Sequence, residues 1–270
     1  MKLLYKEQPQ VISPGVTLRQ TINKQNASLD YIELKLIDLR PEASYQETLT
    51  DYECCAVILT GQASLISGNT HLTNIGTRQS VFDKIPTDSV YLPRQTTFTL
   101  TTERKASILL CYSPTTVTKE LTFIPAKDNS IEARGILNNK RLVHNILPDT
   151  SPIADRLLVV EVYTEGGNFS SYPPHKHDQD NLPEESLLEE TYYHEINPPQ
   201  GFVFQRVYTD DRSLDETMSV ENGNVVVVPK GYHPVGVPDG YTSYYLNIMA
   251  GPTRKWQFHN DPDHEWILNR

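Results

Sequence analysis

The chain has 270 residues, and its 34 acidic side chains against 24 Lys and Arg give a formal net charge of −10. No uninterrupted apolar run reaches 18 residues, which excludes a transmembrane helix, and the early polar residues argue against a secretory signal. An acidic chain without a long basic cluster is a poor partner for nucleic acid or anionic membrane, so we expect a cytoplasmic protein that binds neither.

Short runs rich in Val, Ile, Tyr, Phe and Thr recur between turn-forming residues along the chain. They lie at residues 56–59, 89–92, 98–100, 106–110, 157–160 and 225–228. The 19 prolines and 13 glycines punctuate these runs, and almost no stretch keeps a helical period for three turns. The pattern predicts an all-β protein of the sandwich or barrel type, with any helix short and near residues 263–268.

The three cysteines, Cys54, Cys55 and Cys111, lie in the first half of the chain. An odd number without CxxC spacing argues against a disulfide framework or a zinc knuckle. Because neighbouring residues of a strand point to opposite faces, Cys54 and Cys55 are not expected to bond to each other. We predict three buried free thiols in a reducing compartment.

The two halves of the chain present their predicted strands in the same order. Residues 52–112 and 186–249 each run through a strand, a turn, further strands and a Val-x-x-Pro stretch before the closing strands. Polar residues replace the apolar runs near 126–135. The repeat predicts two β-barrel or jelly-roll domains, residues 1–125 and 126–270.

The second half holds the densest group of side chains that can bind a metal. His175 and His177 share one face if they lie on a strand, and His233 follows the Val-rich run and Pro229. The segment between them carries four carboxylates, Glu184, Glu185, Glu189 and Glu190. Alone, such a His pair is usually a surface feature and such a Glu run a solvated loop. Together they predict a three-nitrogen, one-oxygen site for a divalent metal.

The order of these residues resembles the two-part motif of the cupin superfamily. The second part runs from Gly223 through Pro229 and Gly231 to His233, with one residue instead of two between Gly231 and His233. The first part departs more, because twelve residues separate His177 from Glu190 where three or four are usual. A surface loop at residues 178–188 would absorb the insertion.

Longer stretches resemble one family within the cupins, the 5-deoxy-glucuronate isomerases of bacterial myo-inositol catabolism, which are related to the uronate ketol-isomerase of pectin breakdown. They are residues 172–178 (YPPHKHD), 188–193 (LEETYY), 205–209 (QRVYT), 228–234 (VPKGYHP), 244–247 (YYLN) and 249–252 (MAGP). The resemblance implies a bicupin whose first barrel lacks metal ligands. In agreement with this, residues 50–112 contain a single histidine, His71.

By the same resemblance, the metal ligands would be His175, His177, Glu190 and His233, with Glu190 preferred to Glu189 because it directly precedes the Thr-Tyr-Tyr strand. The implied reaction is the aldose–ketose isomerisation of 5-deoxy-glucuronate to 5-dehydro-2-deoxy-gluconate. A divalent ion, zinc or manganese with iron, nickel or cobalt as alternatives, would polarise the carbonyl and stabilise an enediolate. A metal-assisted hydride shift is the alternative path.

The catalytic base is not visible in the motif, and three residues are candidates. Strand parity from Glu190 places Tyr192 and His194 on one inward face, where His194 is either the base or paired with a carboxylate. Tyr244 and Tyr245 point to opposite faces of one strand, so one of them reaches the barrel interior as a proton shuttle or as packing.

The substrate carboxylate needs a cationic partner, for which arginine has the matching geometry. Arg206 is the first choice because it lies within a strand surrounded by apolar residues. Arg212 in the following turn and Lys230 beside His233 are the other candidates.

Two other functions use the same motif. A cupin dioxygenase or another oxidoreductase binds its metal with the same three-His, one-Glu set, and a storage bicupin binds sugars without catalysis. We also expect a homo-oligomer. The acidic and His-containing segment 259–264 is either a second metal site or a hydrogen-bonded clasp over the barrel.

Overall fold

The structure is a computed structural model and describes residues 1–270. The strands before residue 125 are β1 Leu4–Tyr5, β2 Gln10–Ser13, β3 Val16–Ile22, β4 Glu33–Leu39, β5 Ser44–Thr48, β6 Tyr52–Gly61, β7 Ala63–Ser67, β8 Thr70–Ile75, β9 Ser89–Leu92, β10 Thr97–Thr101, β11 Ala106–Pro114 and β12 Thr122–Ile124. The later strands are β13 Ser130–Arg134, β14 Arg141–Leu147, β15 Leu158–Glu165, β16 Phe169–Ser170, β17 His175–Lys176, β18 Asp178–Asn181, β19 Glu185–Leu187, β20 Glu189–Asn197, β21 Phe202–Tyr208, β22 Asp215–Glu221, β23 Val225–Val228, β24 Val235–Gly236, β25 Thr242–Ala250 and β26 His259–Asn260.

Helical structure is limited to three 3₁₀ segments, Val81–Asp83, Ala126–Asp128 and Glu265–Asn269. The last of them overlaps the short helix predicted near the end of the chain. None of these segments has the length or the apolar character needed to cross a lipid bilayer. The predicted all-β fold is confirmed, and every predicted strand overlaps an observed one, the run at 157–160 beginning one residue before β15.

Each half of the chain forms a sandwich of one large and one small antiparallel sheet. In the first half, the seven-stranded sheet β12-β9-β6-β11-β4-β3-β2 packs on the four-stranded sheet β5-β10-β7-β8. In the second half, the corresponding sheets are β1-β23-β20-β25-β15-β14-β13 and β16-β24-β21-β22. The matching sheets are the two-barrel architecture that the repeated strand order predicts.

Two short strands are placed differently from what the sequence indicates. β1 pairs with β23, with Leu4 opposite Val226, so residues near the start of the chain complete the edge of the second barrel. β13 lies in the predicted linker and pairs with β14. The boundary between residues 125 and 126 stays a prediction, as does association into a homo-oligomer.

The large sheets of the two barrels pack back to back. On β6, Cys54 and Ala56 point into the first barrel, whereas Cys55 and Val57 belong to a core shared with the second barrel. Because both faces of the strand are buried, its sequence is continuously apolar instead of alternating. Cys54, Cys55 and Cys111 are buried and free, as predicted.

A buried ion pair connects the two barrels. Arg78 of the first barrel faces Glu161 on β15, and both side chains are fully buried. The Arg78 guanidinium also donates to the Tyr163 hydroxyl at 2.9 Å and to the Leu59 carbonyl at 2.8 Å. The Tyr244 hydroxyl donates to Glu161 at 2.8 Å. The carboxylate therefore receives donors from both barrels.

Buried carboxylates also accept backbone N–H groups across the junction. Glu53 of β6 accepts from the N–H groups of Asp155, Arg156 and Leu157 at 2.7 to 2.8 Å. In the opposite direction, Glu189 of β20 accepts from residues 30 and 31. These bonds fix the second barrel's large sheet, and with it β20, against the first barrel.

The ionisation of Glu161 is expected to make the free energy of unfolding depend on pH in the acidic range. Burial would raise its pKa, but Arg78, the nearby His144 and a hydrogen bond from Tyr244 outweigh burial and lower the pKa to about 2. The unfolded carboxyl keeps a pKa of about 4.3, so its contribution to stability is complete above that pH and is lost as pH falls towards 2. The free energy of unfolding, measured by denaturant titration between pH 5 and pH 2.5, should change less steeply with pH in Glu161→Gln than in the wild type. The difference in slope should be up to about 1.4 kcal/mol per pH unit, and equal slopes would contradict the role assigned to Glu161.

Candidate metal centre

Three histidines from two segments of the second barrel meet at one point. His175 lies on β17, His177 follows it, and His233 comes after the turn that ends β23. One ring nitrogen of each lies within 4.8 Å of the others. His177 and His233 are buried, and His175 is partly exposed. The two parts of the motif therefore converge, although they are more than fifty residues apart in sequence.

Glu190 adds a carboxylate to the three imidazoles. Its Oε2 lies 3.1 Å from Nε2 of His177 and 3.0 Å from Nε2 of His233. The side-chain amide of Asn247 donates to the other carboxylate oxygen, Oε1. Glu189 points to the opposite face of β20, where it accepts the N–H groups of residues 30 and 31. Of the two adjacent carboxylates, only Glu190 faces the histidines.

The hydrogen bonds of two rings determine which nitrogen carries the proton. Nδ1 of His177 lies 2.8 Å from the Leu188 carbonyl, and Nδ1 of His233 lies 2.8 Å from the Gly231 carbonyl. A carbonyl only accepts, so Nδ1 is the protonated nitrogen and Nε2 of the neutral ring carries a lone pair. When both rings are neutral, two such lone pairs face the Glu190 carboxylate, and a cation between these acceptors would stabilise the arrangement.

The donor set fits a divalent ion. Two donors that are each about 2.1 Å from one ion lie about 3 to 4 Å apart, and the distances from Glu190 to His177 and His233 fall in that range. Nε2 of His233 is buried and makes no hydrogen bond. Burial and the neighbouring His233 and His177 lower the pKa of His175 well below its usual range, which leaves its ring neutral and able to bind a metal.

The charge state of Glu190 also suits a metal ligand. Burial would raise the pKa of this carboxyl, but positive charge at His233 and His177, with hydrogen bonds from both rings, outweighs burial and holds the pKa well below its usual range. A metal cation in the same place would act on the carboxylate in the same direction. The carboxylate is therefore ionised at neutral pH, as a ligand to a hard or borderline cation must be.

Gly231 allows the shortened second part of the motif to place His233. Its φ is +93°, and a Cβ at this position would lie 2.5 Å from the Tyr208 carbonyl oxygen. Its N–H donates to Asp178 at 2.8 Å, and its carbonyl receives Nδ1 of His233. A residue with a side chain would therefore be strained here and would displace the imidazole.

The insertion between His177 and Glu190 forms a hairpin of β18 and β19, where we expected a surface loop. Only part of its acidic run is solvated. Glu184 is exposed, whereas Glu185 is buried and accepts from the Lys176 ammonium at 3.1 Å. Lys176 also donates to Asp178 at 2.7 Å. These ion pairs lie behind the histidines and fix the strand that carries them.

The structure places His194 on the same face of β20 as Glu190, as strand parity predicts. It lies deeper in the barrel, with its ring 5.9 Å from the Tyr192 ring and its Nε2 3.1 Å from the Gln205 side-chain oxygen. His194 therefore pairs with an amide, the Gln205 side chain, and not with the carboxylate that one of the two predicted roles called for. Burial lowers its pKa to about 4, so the ring is neutral. His194 does not line the cavity beside the histidine cluster.

Tyr244 and Tyr245 point to opposite faces of β25. Tyr245 lines the same cavity as Glu190 and His175, and burial raises its pKa to about 12. Tyr244, predicted as a catalytic candidate, lies between the barrels and donates to Glu161. Its position on the outer face of the sheet is the reason that it does not reach the centre.

None of the three predicted carboxylate-binding cations lines the cavity beside the cluster. Arg206 points to the outer face of β21 and pairs with Asp215 at 2.7 Å, because Gln205 is the inward residue there. Arg212 lies over the Tyr208 ring at 4.1 Å, and Lys230 is exposed. The structure therefore does not bring these three side chains to the histidine cluster.

A cavity opens from the histidine cluster to the surface. Its inner chamber, of about 30 Å³, is lined by Glu190, Ser171, Tyr245 and Asn247 together with valines. Its outer part, of about 660 Å³, extends to the final 3₁₀ segment. Four residues line both parts: Arg134, Arg141, His175 and Trp256. The sequence reasoning missed both arginines, and nothing in their local sequence marks them.

The end of the chain closes over this site. β26 pairs with β17, with Asn260 opposite His175, and the Tyr208 hydroxyl donates to Asp261 at 2.7 Å. His264 lies 4.0 Å from Asp261 and is partly exposed. The two predictions for residues 259–264 are a second metal site and a hydrogen-bonded clasp over the barrel. This arrangement matches the hydrogen-bonded clasp.

The family model for the KduI/IolB family matches residues 4–267 of the chain. A curated 5-deoxy-glucuronate isomerase from Bacillus licheniformis is 64% identical over 268 residues, which covers 99% of each chain. The protein of the same name from Listeria monocytogenes is 64% identical over 270 residues, which covers 100% of this chain and 99% of the relative.

Solved structures resemble this chain at two levels of similarity. An IolB-like protein from Salmonella typhimurium superposes with a TM-score of 0.95 at 46% identity, covering 99% of this chain and 100% of that one. An oxalate decarboxylase from Lactobacillus farciminis superposes with a TM-score of 0.70 at 11% identity, covering 100% and 91%. The second likeness shows the bicupin fold alone. From its sequence and its fold, the chain belongs to the KduI/IolB family.

Proposed function

We propose that this protein is a metal-dependent aldose–ketose isomerase that converts 5-deoxy-glucuronate to 5-dehydro-2-deoxy-gluconate. The observation that carries the proposal is a cluster of three imidazoles and one carboxylate, open to a cavity, in a chain 64% identical to proteins named 5-deoxy-glucuronate isomerase. The reaction moves one hydrogen from C2 to C1 and one proton from the C2 hydroxyl to the C1 oxygen. It needs no external oxidant or reductant.

His175, His177, Glu190 and His233 would hold the divalent ion, with zinc or manganese as the first choices. When bound, such an ion supplies a Lewis acid to neighbouring carbonyl and hydroxyl oxygens. The amide of Asn247 and the carbonyls of Leu188 and Gly231 keep these side chains in place. Such outer hydrogen bonds orient the ligands and raise their basicity.

Tyr245 is the residue we assign to proton transfer between the two substrate oxygens. Tyr245 lines the inner chamber together with Glu190, and its pKa of about 12 keeps the hydroxyl protonated at neutral pH. A neutral phenol donates one proton and accepts another on the same oxygen, which the exchange between O1 and O2 requires. His194 lies behind Tyr192 and supports the strand from within the barrel.

The test is turnover of 5-deoxy-glucuronate by metal-free protein and by protein reloaded with zinc or manganese. We expect about one ion per chain and ketone formation only in the loaded samples. Oxygen uptake by an iron-loaded sample would instead support a dioxygenase, since isomerisation consumes no oxygen. Protein that binds no metal would overturn the proposal and leave a binding protein without this chemistry.

A further inference from the structure

We propose that Arg141, assisted by Arg134 and the Trp256 indole, binds the carboxylate of the sugar acid at the neck of the cavity. The inference rests on the proposed function and adds the group that recognises the far end of the substrate. In 5-deoxy-glucuronate the carboxylate is C6, and the reacting aldehyde is C1, at the other end of the carbon chain. A site for the carboxylate thus determines which end enters the inner chamber.

Arg141 has no acidic partner within the protein. The guanidinium donates one hydrogen bond, to the Asn139 backbone carbonyl at 2.9 Å, and no carboxylate lies within 4 Å of it. By contrast, Arg78 and Arg206 both form ion pairs, one buried and one exposed. A guanidinium has five N–H donors, so most of those on Arg141 remain free.

Partial burial makes the unpaired N–H groups of Arg141 energetically unfavourable. The residue is partly buried, and burial together with Arg134 lowers its pKa, with Tyr245 acting in the opposite direction. A guanidinium stays charged in proteins, so the cost of burial is relieved by an anion rather than by loss of a proton. The same side chain lines both parts of the cavity. An anionic ligand in the neck would supply the missing acceptor.

Two neighbouring groups add donors to the same place. The Arg134 guanidinium lies over the Trp256 ring at 5.5 Å and donates to Glu132 at 2.7 Å. The indole Nε1 of Trp256 is buried and donates to no protein acceptor. Apart from His175 and Glu190 of the cluster, the charged residues lining either part of the cavity are Arg134 and Arg141. The neck is therefore cationic, because the histidine cluster contributes the only carboxylate of the lining.

An aromatic wall connects the arginines to the cluster. The Phe258 ring lies 4.7 Å from the His175 ring and 6.4 Å from the Trp256 ring. A carbon chain that lies along this wall would have its carboxylate at Arg141 and its aldehyde at the histidines. The reverse orientation would leave the Arg141 guanidinium without an anionic acceptor and would hold the aldehyde away from the metal ligands.

The experiment compares metal-loaded wild type, Arg141→Met and Arg141→Lys on two probes: 5-deoxy-glucuronate and 5-deoxy-glucose, in which an uncharged hydroxymethyl group replaces the carboxylate. Arg141→Met should raise KM for the acid at least about tenfold, since it removes a charged hydrogen bond, and leave KM for the uncharged aldose unchanged. Arg141→Lys should recover part of the loss. Arg206→Met, on the outer face, serves as the matched control and should change neither value.

Calorimetric binding of 5-deoxy-glucuronate separates failure of this inference from failure of the proposed function. If wild type binds the acid without turnover and Arg141→Met loses that binding, the carboxylate site stands and the reaction is wrong. If Arg141→Met turns over and binds the acid as wild type does, the inference is overturned while the reaction stands. Equal losses on both probes would also overturn it, since they indicate a structural role.

Discussion

Replacing His233 with alanine is expected to lower kcat/KM for 5-deoxy-glucuronate by more than about a hundredfold, since changing even a residue that only orients a metal ligand costs 10- to 100-fold. The imidazole is buried, and its Nε2 faces Glu190 at 3.0 Å without another partner. Its loss removes one of four donors. Elemental analysis of the purified variant should show a matching loss of bound metal.

The matched control for this variant is His71→Ala. His71 is exposed on β8 of the first barrel, far from the cluster in the fold. It should leave both activity and metal content unchanged, and circular dichroism should be the same for both variants because the sheets do not depend on the ion. Near-normal activity of the His233 variant would show that the centre is misassigned. A full loss in the His71 variant would contradict a first barrel without a catalytic role.

Replacing Arg78 with methionine is expected to lower the free energy of unfolding by about 3 to 5 kcal/mol, the typical cost of leaving one member of a buried ion pair without its partner. Glu161 is fully buried and would keep only the Tyr244 donor and the nearby His144. The measurement is chemical denaturation at pH 7 followed by circular dichroism.

The exposed pair Arg206–Asp215 provides the control, because it has the same chemistry with little burial. Arg206→Met should cost less than about 1 kcal/mol. The double variant Arg78→Met/Glu161→Leu removes both charges and should recover part of the stability lost in the single variant. An Arg78 variant as stable as wild type would show that the pair does not hold the barrels together.

Much of the fold could be predicted from local patterns. The strands that carry continuous Val and Leu runs, such as β6 and β23, are buried on both faces and stand out in the sequence. The pairing of β1 with β23 could not be predicted, because a two-residue strand has no periodicity and its partner lies more than two hundred residues away. Long-range pairing depends on the packed barrels and not on the segment itself.

The metal-ligand cluster is easier to predict from the sequence than the proposed carboxylate site. The histidines and Glu190 occur in a motif with fixed order, so they could be found despite the inserted hairpin. Arg206 was misplaced because parity along β21 says that Gln205 and Arg206 face opposite sides, but not which side is the interior. Arg141 is marked by the absence of an acidic partner, which only the folded chain reveals.

The pairing of β1 with β23 bears on how this chain can evolve. A truncated gene that encodes only the half with the histidine cluster would lose β1, the strand that completes the sheet edge beside Val225 and Val226. It would also expose the large apolar face that the first barrel covers. An open edge and an uncovered sheet both favour aggregation. A change that separates the two halves is therefore expected to leave the second one prone to aggregation.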